Sequence, residues 1–330
     1  MRIGLFAVDN GTRLIMRTLA KYDGFVIISV GENNFDDLDA VIVGTSGSNI
    51  GQDKEANIRC LASHAGVPLV IIEDYPGNYC QVTGGQPNLL IVEHLTSRDI
   101  YLKRLGEQCP DITVIPNPRY DYLRESARDI HMVLVNRWEE SRDTYSALWA
   151  GQPETDDALN VLARIIPILR DVGVRFLFKA HPRDLGHTGG AYMDIAVSLG
   201  ELWIDVSNLN LLQCLEMYAP RILITQFSSM AIETGFYGIP SMNVLFPDIG
   251  EKRLQADKGF SLPPWCADGA AVSVRNTDEM REKLPLLLYD KCFRDRVNTK
   301  FNIWFGTEPS ADKVVNILDQ LIRDYGSGPV

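Results

Sequence analysis

RILITQFSSMAIETGFYGIPSMNVL, residues 221–245, reads as a strand, a helix and a second strand. The aliphatic run 221–225 ends at Thr225. Ser228 and Ser229 then open a helix over 229–237, with Ser228 suited to cap it. Gly238 and Pro240 close that helix before a second apolar run at 241–245. Two short apolar strands joined through a helix make a βαβ unit, and such units build parallel sheets.

The same rhythm extends in both directions. Earlier in this half, strands are expected at 131–135, 174–179 and 202–205, with helices at 157–171 and 209–218; a further helix is expected at 278–289. The first half repeats the pattern. Its expected strands are 2–8, 25–30, 40–43, 68–72, 89–92 and 112–115, and its helices about 12–21, 53–65 and 96–106. Segment 116–130 carries two prolines and many charges and reads as the linker. The expected fold class is α/β: two Rossmann-like doubly wound domains, 1–125 and 126–330, facing each other across a cleft. A last helix at 310–325 has one apolar stripe (Val314, Val315, Ile317, Leu318, Leu321, Ile322), suited to packing back on the first domain. Ligands of open α/β sheets bind beyond the carboxyl ends of the strands, so the cleft is the expected site.

Composition narrows the function. The chain has 330 residues, 45% of them hydrophobic, with 32 Lys+Arg against 43 Asp+Glu and a net charge of −11. That is enough apolar material for two cores, and an acidic surface repels phosphate backbones, so no nucleic-acid partner is expected. No run approaches the roughly 18 apolar residues of a membrane span. The start MRIGLFAVDNG reads as a strand rather than a signal peptide, which points to the cytoplasm. Six scattered cysteines (60, 80, 109, 214, 266, 292) without CxxC read as reduced thiols. GxGxxG is missing after Asp9, Asn10 and Gly11, so NAD and FAD are disfavoured. The Walker loop and the GxSxG elbow are also absent.

Four strand ends carry chemistry. Lys179, His181 and Arg183 follow an apolar strand, with Pro182 stopping it. His181 is suited to donate a hydrogen bond or a proton to a leaving phosphate, with Lys179 and Arg183 supplying charge; the plain alternative is a loop histidine bonded to its own backbone. Gln226, Ser228 and Ser229 precede a helix whose start offers N–H groups to a phosphate, and Glu233 lies where ribose hydroxyls would reach. Ordinary capping and solvation are the alternatives there. Thr45, Ser46 and Gly47 form a Gly/Ser loop that allows close approach to a substrate. Asp53 and Glu55 beyond it read more readily as helix-start acids. Asp74 is a candidate general base, with Tyr75 and Asn78 beside it; an Asx-turn before Pro76 and Gly77 is the equal alternative. Strand alternation turns Glu73 away. Arg137, expected at a strand end, is a weaker phosphate candidate.

The His181-Pro182 turn, the Ser228-Ser229 helix start with Glu233, and the later Gly238-x-Pro240 together resemble the nucleotide-binding half of GT-B glycosyltransferases. The resemblance is strongest to the bacterial surface-polysaccharide group, which includes CMP-sialic acid-like and Kdo-like transferases and CDP-glycerol glycerophosphotransferases. It covers about 174–245 well and 40–80 loosely. It implies that His181, Pro182, Ser228 and Ser229 hold nucleotide phosphates, that Glu233 faces the ribose, and that a first-domain carboxylate serves as base. No D/E-D/E-G motif stands near Asp74. The expected function is transfer of a sugar, best matched by an acidic CMP-activated one, to a surface glycan. The partners are then a nucleotide sugar and a glycan acceptor, at most peripheral to the inner membrane. No cofactor and no metal are expected, because no DxD is placed to bridge a diphosphate. Asp36, Asp37 and Asp39 read as a solvated turn, and Asp156-Asp157 as a helix cap. Alternatives are a nucleotide-sugar 2-epimerase or hydrolase on the same fold, and a non-catalytic nucleotide-sugar-binding protein.

Overall fold

The computed structural model of the chain describes residues 1–29, 31, 35–79, 84–140 and 145–326. The chain divides into two compact units, Met1–Tyr122 with Phe305–Val330, and Leu123–Trp304.

The first unit is built on β1 (Ile3–Phe6), β2 (Phe25–Ile27), β3 (Ala40–Gly44), β4 (Leu69–Ile72), β5 (Leu89–Val92) and β6 (Asp111–Val114). They pair in the order β2-β1-β3-β4-β5-β6, every pair parallel. Strands β1, β3, β4 and β5 are buried at every position, as a parallel sheet covered on both faces requires. Alternate residues serve the two faces. Leu5, Ile42, Val70 and Ile72 meet Ile15 and Leu19 of helix Asn10–Leu19 and Val314 and Leu318 of helix Ala311–Gly326. Phe6, Val43, Leu69 and Ile71 meet Ile58 and Ala62 of helix Asn49–His64. The C-terminal helix is pinned at its start by Asp121, whose carboxylate accepts the Ser310 and Ala311 N–H groups, each at 2.9 Å. The sequence assigned residues up to 330 to the second domain; the units divide instead at Tyr122 and again at Trp304.

The second unit is built on β7 (Ser146–Ala150), β8 (Arg175–Lys179), β9 (Trp203–Asp205), β10 (Ile222–Thr225), β11 (Ser241–Val244) and β12 (Val272–Val274), ordered β12-β11-β10-β7-β8-β9 and again all parallel. The expected βαβ unit over 221–245 is present as β10, helix Met230–Phe236 and β11, with Leu223 beside Ser241. Each sheet reverses direction once, between β1 and β3 and between β7 and β10. Such switch points are where open α/β sheets leave room for ligands.

Three expectations are corrected. Segment 116–130 is no linker, and 131–135 is no strand: both lie largely in one helix, Arg119–Glu140. Ile130 and Leu134, four apart, are buried with Trp138 against Leu215, Tyr237 and Ile239, whereas Met132 and Val133 are exposed. That is a helical period, and tertiary packing overrides the strand propensity of the β-branched residues. Arg137 therefore ends no strand; its guanidinium donates to Met217 O at 2.7 Å. The first strand of this unit is β7 instead, whose Ser-Ala-Leu-Trp-Ala sequence lacks β-branched residues. Helix Lys291–Phe305 and strand β12 also escaped the sequence pattern. Among the described residues the cysteines are unpaired, and no helix is long and apolar enough to cross a membrane; Cys80 lies outside the described residues.

Candidate functional site

In the second unit the exits of β10, β7 and β8 lie side by side. Gly151, directly after β7, runs against the His181 turn: a Cβ there would stand 3.1 Å from His181 N and 3.2 Å from Lys179 O. The Thr225 hydroxyl ties the β10 exit to β7. It donates to Ala150 O at 2.8 Å and accepts the Ser228 N–H at 3.3 Å. The structure thus brings the Lys179–Arg183 turn and the Gln226–Ser229 turn to one sheet edge, on strands that flank β7, at the switch point.

The two turns differ in detail from expectation. The Arg183 N–H donates to His181 Nδ1 at 3.1 Å, so the loop histidine is bonded to its own backbone and carries its neutral-form proton on Nε2. Burial, reinforced by Arg183, holds its pKa below the ordinary imidazole value. Lys179 does not stand beside it. Its ammonium donates to Leu209 O, and burial lowers its pKa. Pro182 and Arg183 are exposed. Asp184, just beyond, is buried and accepts from Tyr192 Oη and Thr155 Oγ1, both at 2.5 Å, which anchors the turn. Ser228 Oγ accepts the Met230 N–H at 3.3 Å, the local cap expected of it. Ser229 Oγ lies 3.4 Å from Glu233 Oε1, so Glu233 is held by its own helix. Gln226 is 1% exposed, and its Oε1 has no hydrogen-bond partner among the described residues.

The first unit gathers carboxylates at the exits of β1, β4 and β5, around the Gly/Ser loop that follows β3. Asp9 accepts the Gly47 N–H at 3.0 Å, closing the Gly/Ser loop over the switch point. Thr45 Oγ1 donates to Asp74 Oδ1 at 2.8 Å, and Asn78 Nδ2 donates to the same oxygen at 2.8 Å. A Cβ on Gly11 would stand 3.0 Å from Asp74 Oδ2 and 2.9 Å from an Arg119 guanidinium nitrogen, so glycine admits both groups. Asp74 is 9% exposed and Tyr75 8%: the expected base lies within a buried hydrogen-bonded cluster. Asp53 is exposed on the helix Asn49–His64, whose start is capped by Ser48 rather than by acids. Glu55 is buried, and both its oxygens are held by Ser46.

Two more acids stand there: Glu73, which alternation set aside, and Glu93, which the sequence pattern did not single out. Glu73 faces away from Asp74, as alternation requires, but into protein rather than solvent. Its Oε1 accepts Gly77 N–H at 3.1 Å and Ser97 Oγ at 3.2 Å, while Oε2 has no partner among the described residues. Burial first, then Glu93, pushes its pKa well up. Glu93 accepts Tyr120 Oη at 2.9 Å; burial pushes it to about 7, against the opposing pull of Arg119. The available signal was positional: Asp9, Glu73 and Glu93 all follow apolar strands.

Comparison with known proteins bears on the fold. No family model and no curated protein matches the chain in sequence. Solved structures do match it end to end. MnaA of S. aureus, in its UDP co-structure, is 10% identical with a TM-score of 0.65, covering 100% of this chain and 99% of that one. The Methanocaldococcus jannaschii UDP-GlcNAc 2-epimerase, in complex with UDP-GlcNAc and UDP, is 14% identical with a TM-score of 0.64, covering 97% and 100%. The wall teichoic acid polymerase TagF is 14% identical with a TM-score of 0.54, covering 98% and 88%. Two parallel six-stranded α/β units, matched over the whole chain, define the class: this is the GT-B fold. Within that class the similar structures include UDP-GlcNAc 2-epimerases and a polymerase, and at these identities the likeness speaks for the fold.

Proposed function

We propose that the chain is an enzyme of nucleotide-activated sugars that transfers the sugar from its donor to a hydroxyl acceptor. The observation that carries this reading is the meeting of the His181 turn and the Ser228-Ser229 turn at the switch point between β7 and β10, tied through Thr225 and Gly151. Charge builds on the donor phosphate as the sugar leaves. Preorganised donors lower that barrier because they need no reorganisation. Here His181 Nε2–H, the Ser228 hydroxyl and the exposed Arg183 are the proposed donors, with Gln226 beside them and Ser229 joining once it releases Glu233. Asp74, oriented by Thr45 and Asn78, is the proposed base for the acceptor hydroxyl. The reaction is proposed to need no metal and to take place in the cytoplasm. An acidic CMP-activated sugar is the first donor to try, since the surface-polysaccharide resemblance suggests it; UDP sugars come next, because two of the similar structures hold UDP.

One observation favours a second reading, 2-epimerisation. Inverting a sugar carbon breaks a C–H bond and remakes it on the other face, which needs groups that take and return protons near neutral pH. Glu93, pushed to about 7 by burial, is such a group, and Glu73 beside it is raised by the same cause. Incubating the chain with CMP, CDP, UDP and GDP sugars in D2O separates the two. A product that forms only with a glycan acceptor supports transfer. An acceptor-independent epimer carrying deuterium at C2 replaces transfer by epimerisation, and no turnover of any donor overturns both.

A further inference from the structure

The second unit holds a cavity at the end of its sheet opposite the candidate site. It encloses about 560 Å³, within the range of roughly 300–1,000 Å³ of small-molecule sites. Arg221 directly precedes β10 and Tyr145 directly precedes β7, so the cavity lies at the amino ends of the strands whose carboxyl ends form the candidate site. Four residues of strand at about 3.3 Å each separate the two.

Its lining sets three cations, Arg221, Arg294 and Lys291, against two acids, Glu139 and Asp295. The Arg221 guanidinium lies against two rings, 5.2 Å from the Trp138 centroid and 5.1 Å from that of Tyr145. It makes no side-chain hydrogen bond and no ion pair among the described residues, and its Nε is buried without a partner. Arg294, 9% exposed, gives one nitrogen to Leu287 O and Leu288 O and likewise has no ion pair. The two guanidinia are close enough to disfavour one another: burial, then Arg294, lowers the Arg221 pKa. Lys291 adds a third cation, paired at the rim with Asp295 at 2.6 Å, and Glu139 is the other acid in the wall. Asn298 donates to Gly238 O and leaves its Oδ1 buried and unpartnered.

Arg221 and Arg294 are neighbours withdrawn from solvent and neither forms an ion pair among the described residues, although Asp295 and Asp290 act on Arg294 from nearby; such a pair is costly unless an anion is present. Two planar forks match the oxygens of a phosphate. The cavity is larger than a phosphate alone fills, and the Trp138 and Tyr145 rings offer apolar wall to an organic part. We infer that this cavity is a second ligand site, one that takes a small phosphomonoester with its phosphate on Arg221 and Arg294. It stands on its own residues and is independent of the activity proposed above.

Calorimetry of the full chain with inorganic phosphate and with glucose 6-phosphate tests it. Saturable binding of glucose 6-phosphate is expected, weakened by about tenfold or more in Arg221→Gln and in Arg294→Gln. His181→Ala and Ser228→Ala leave that binding unchanged. Arg221→Lys, which keeps the charge but loses the fork, falls between. The Arg221 side chain holds no group by hydrogen bond among the described residues, so its variants report on the site even if Arg294→Gln does not fold. Equal affinity for inorganic phosphate confines the ligand to the free anion and keeps the site. No binding of either probe by the wild type at about 10 mM overturns the inference, as does binding lost in His181→Ala but intact in Arg221→Gln.

Discussion

Ser46 grips the Glu55 carboxyl from two sides, its backbone N–H donating to Oε2 at 3.1 Å while its hydroxyl bonds Oε1. Burial still dominates. It pushes the Glu55 pKa up to about 8, with Asp74 and Asp9 adding to the rise. In the unfolded chain the same carboxyl releases its proton near 4.3. Between those values the folded chain holds a proton that the unfolded chain has lost, so stability falls as pH rises through this window. Glu93, at about 7, and Glu73 act in the same direction. Urea unfolding is therefore expected to give a lower midpoint at pH 8.5 than at pH 6. Glu55→Gln, which cannot ionise, is expected to shrink that difference by about 1–3 kcal/mol. An unchanged difference in the variant would show that Glu55 ionises freely in the folded chain.

His181 is expected to work as a neutral donor. With Nδ1 accepting the Arg183 N–H, only Nε2 has a proton to offer. Its lowered pKa keeps the ring neutral at pH 7. His181→Ala is expected to lower kcat/KM for the donor by well over about tenfold, with an unchanged far-UV spectrum. The ring's own titration, followed by NMR, is expected below the ordinary histidine midpoint; a midpoint above it contradicts the burial that the turn imposes.

Why these turns were legible while other parts were not is a matter of range. The β10–helix–β11 unit is encoded within one stretch: aliphatic residues, two serines, then Gly238 and Pro240. The His181 turn is equally local. Arg119–Glu140 was misread because Pro116, Pro118 and a Met-Val-Leu-Val run outweigh a helical period that becomes visible only when Leu215 and Tyr237 are known to cover Ile130 and Leu134. Glu93 was missed for a similar reason. Its environment comes from Tyr120 and Arg119, well over 20 residues away in sequence. Lys179 shows the reverse error: its position at a strand end is local, but its ammonium is taken by Leu209 O, far along the chain.

The two serines act on binding rather than on protonation. Ser228 Oγ accepts the Met230 N–H and so keeps its own proton for a ligand, whereas Ser229 donates to Glu233 and must exchange that partner for a phosphate. Neutral hydrogen bonds contribute about 1 kcal/mol each. Ser228→Ala combined with Ser229→Ala is expected to weaken the preferred nucleotide by about tenfold in calorimetry, with the free chain still folded but destabilised by about 1 kcal/mol through loss of the Ser228 cap. Unaltered affinity in a folded double variant removes the serines from the proposed phosphate site.

Charge on the departing phosphate must be met by something, and the proposed turns contain one exposed guanidinium, Arg183, and one neutral imidazole. Lys179 is committed elsewhere. The metal-free proposal therefore asks much of Arg183. Arg183→Gln is expected to lower turnover by about tenfold or more, since charge-assisted bonds are roughly twice as strong as neutral ones, while dialysis against EDTA leaves wild-type turnover intact. If EDTA abolishes activity and added divalent ion restores it, while Arg183→Gln is silent, the neutralising charge is a bound cation and the donor set proposed for the second unit is wrong.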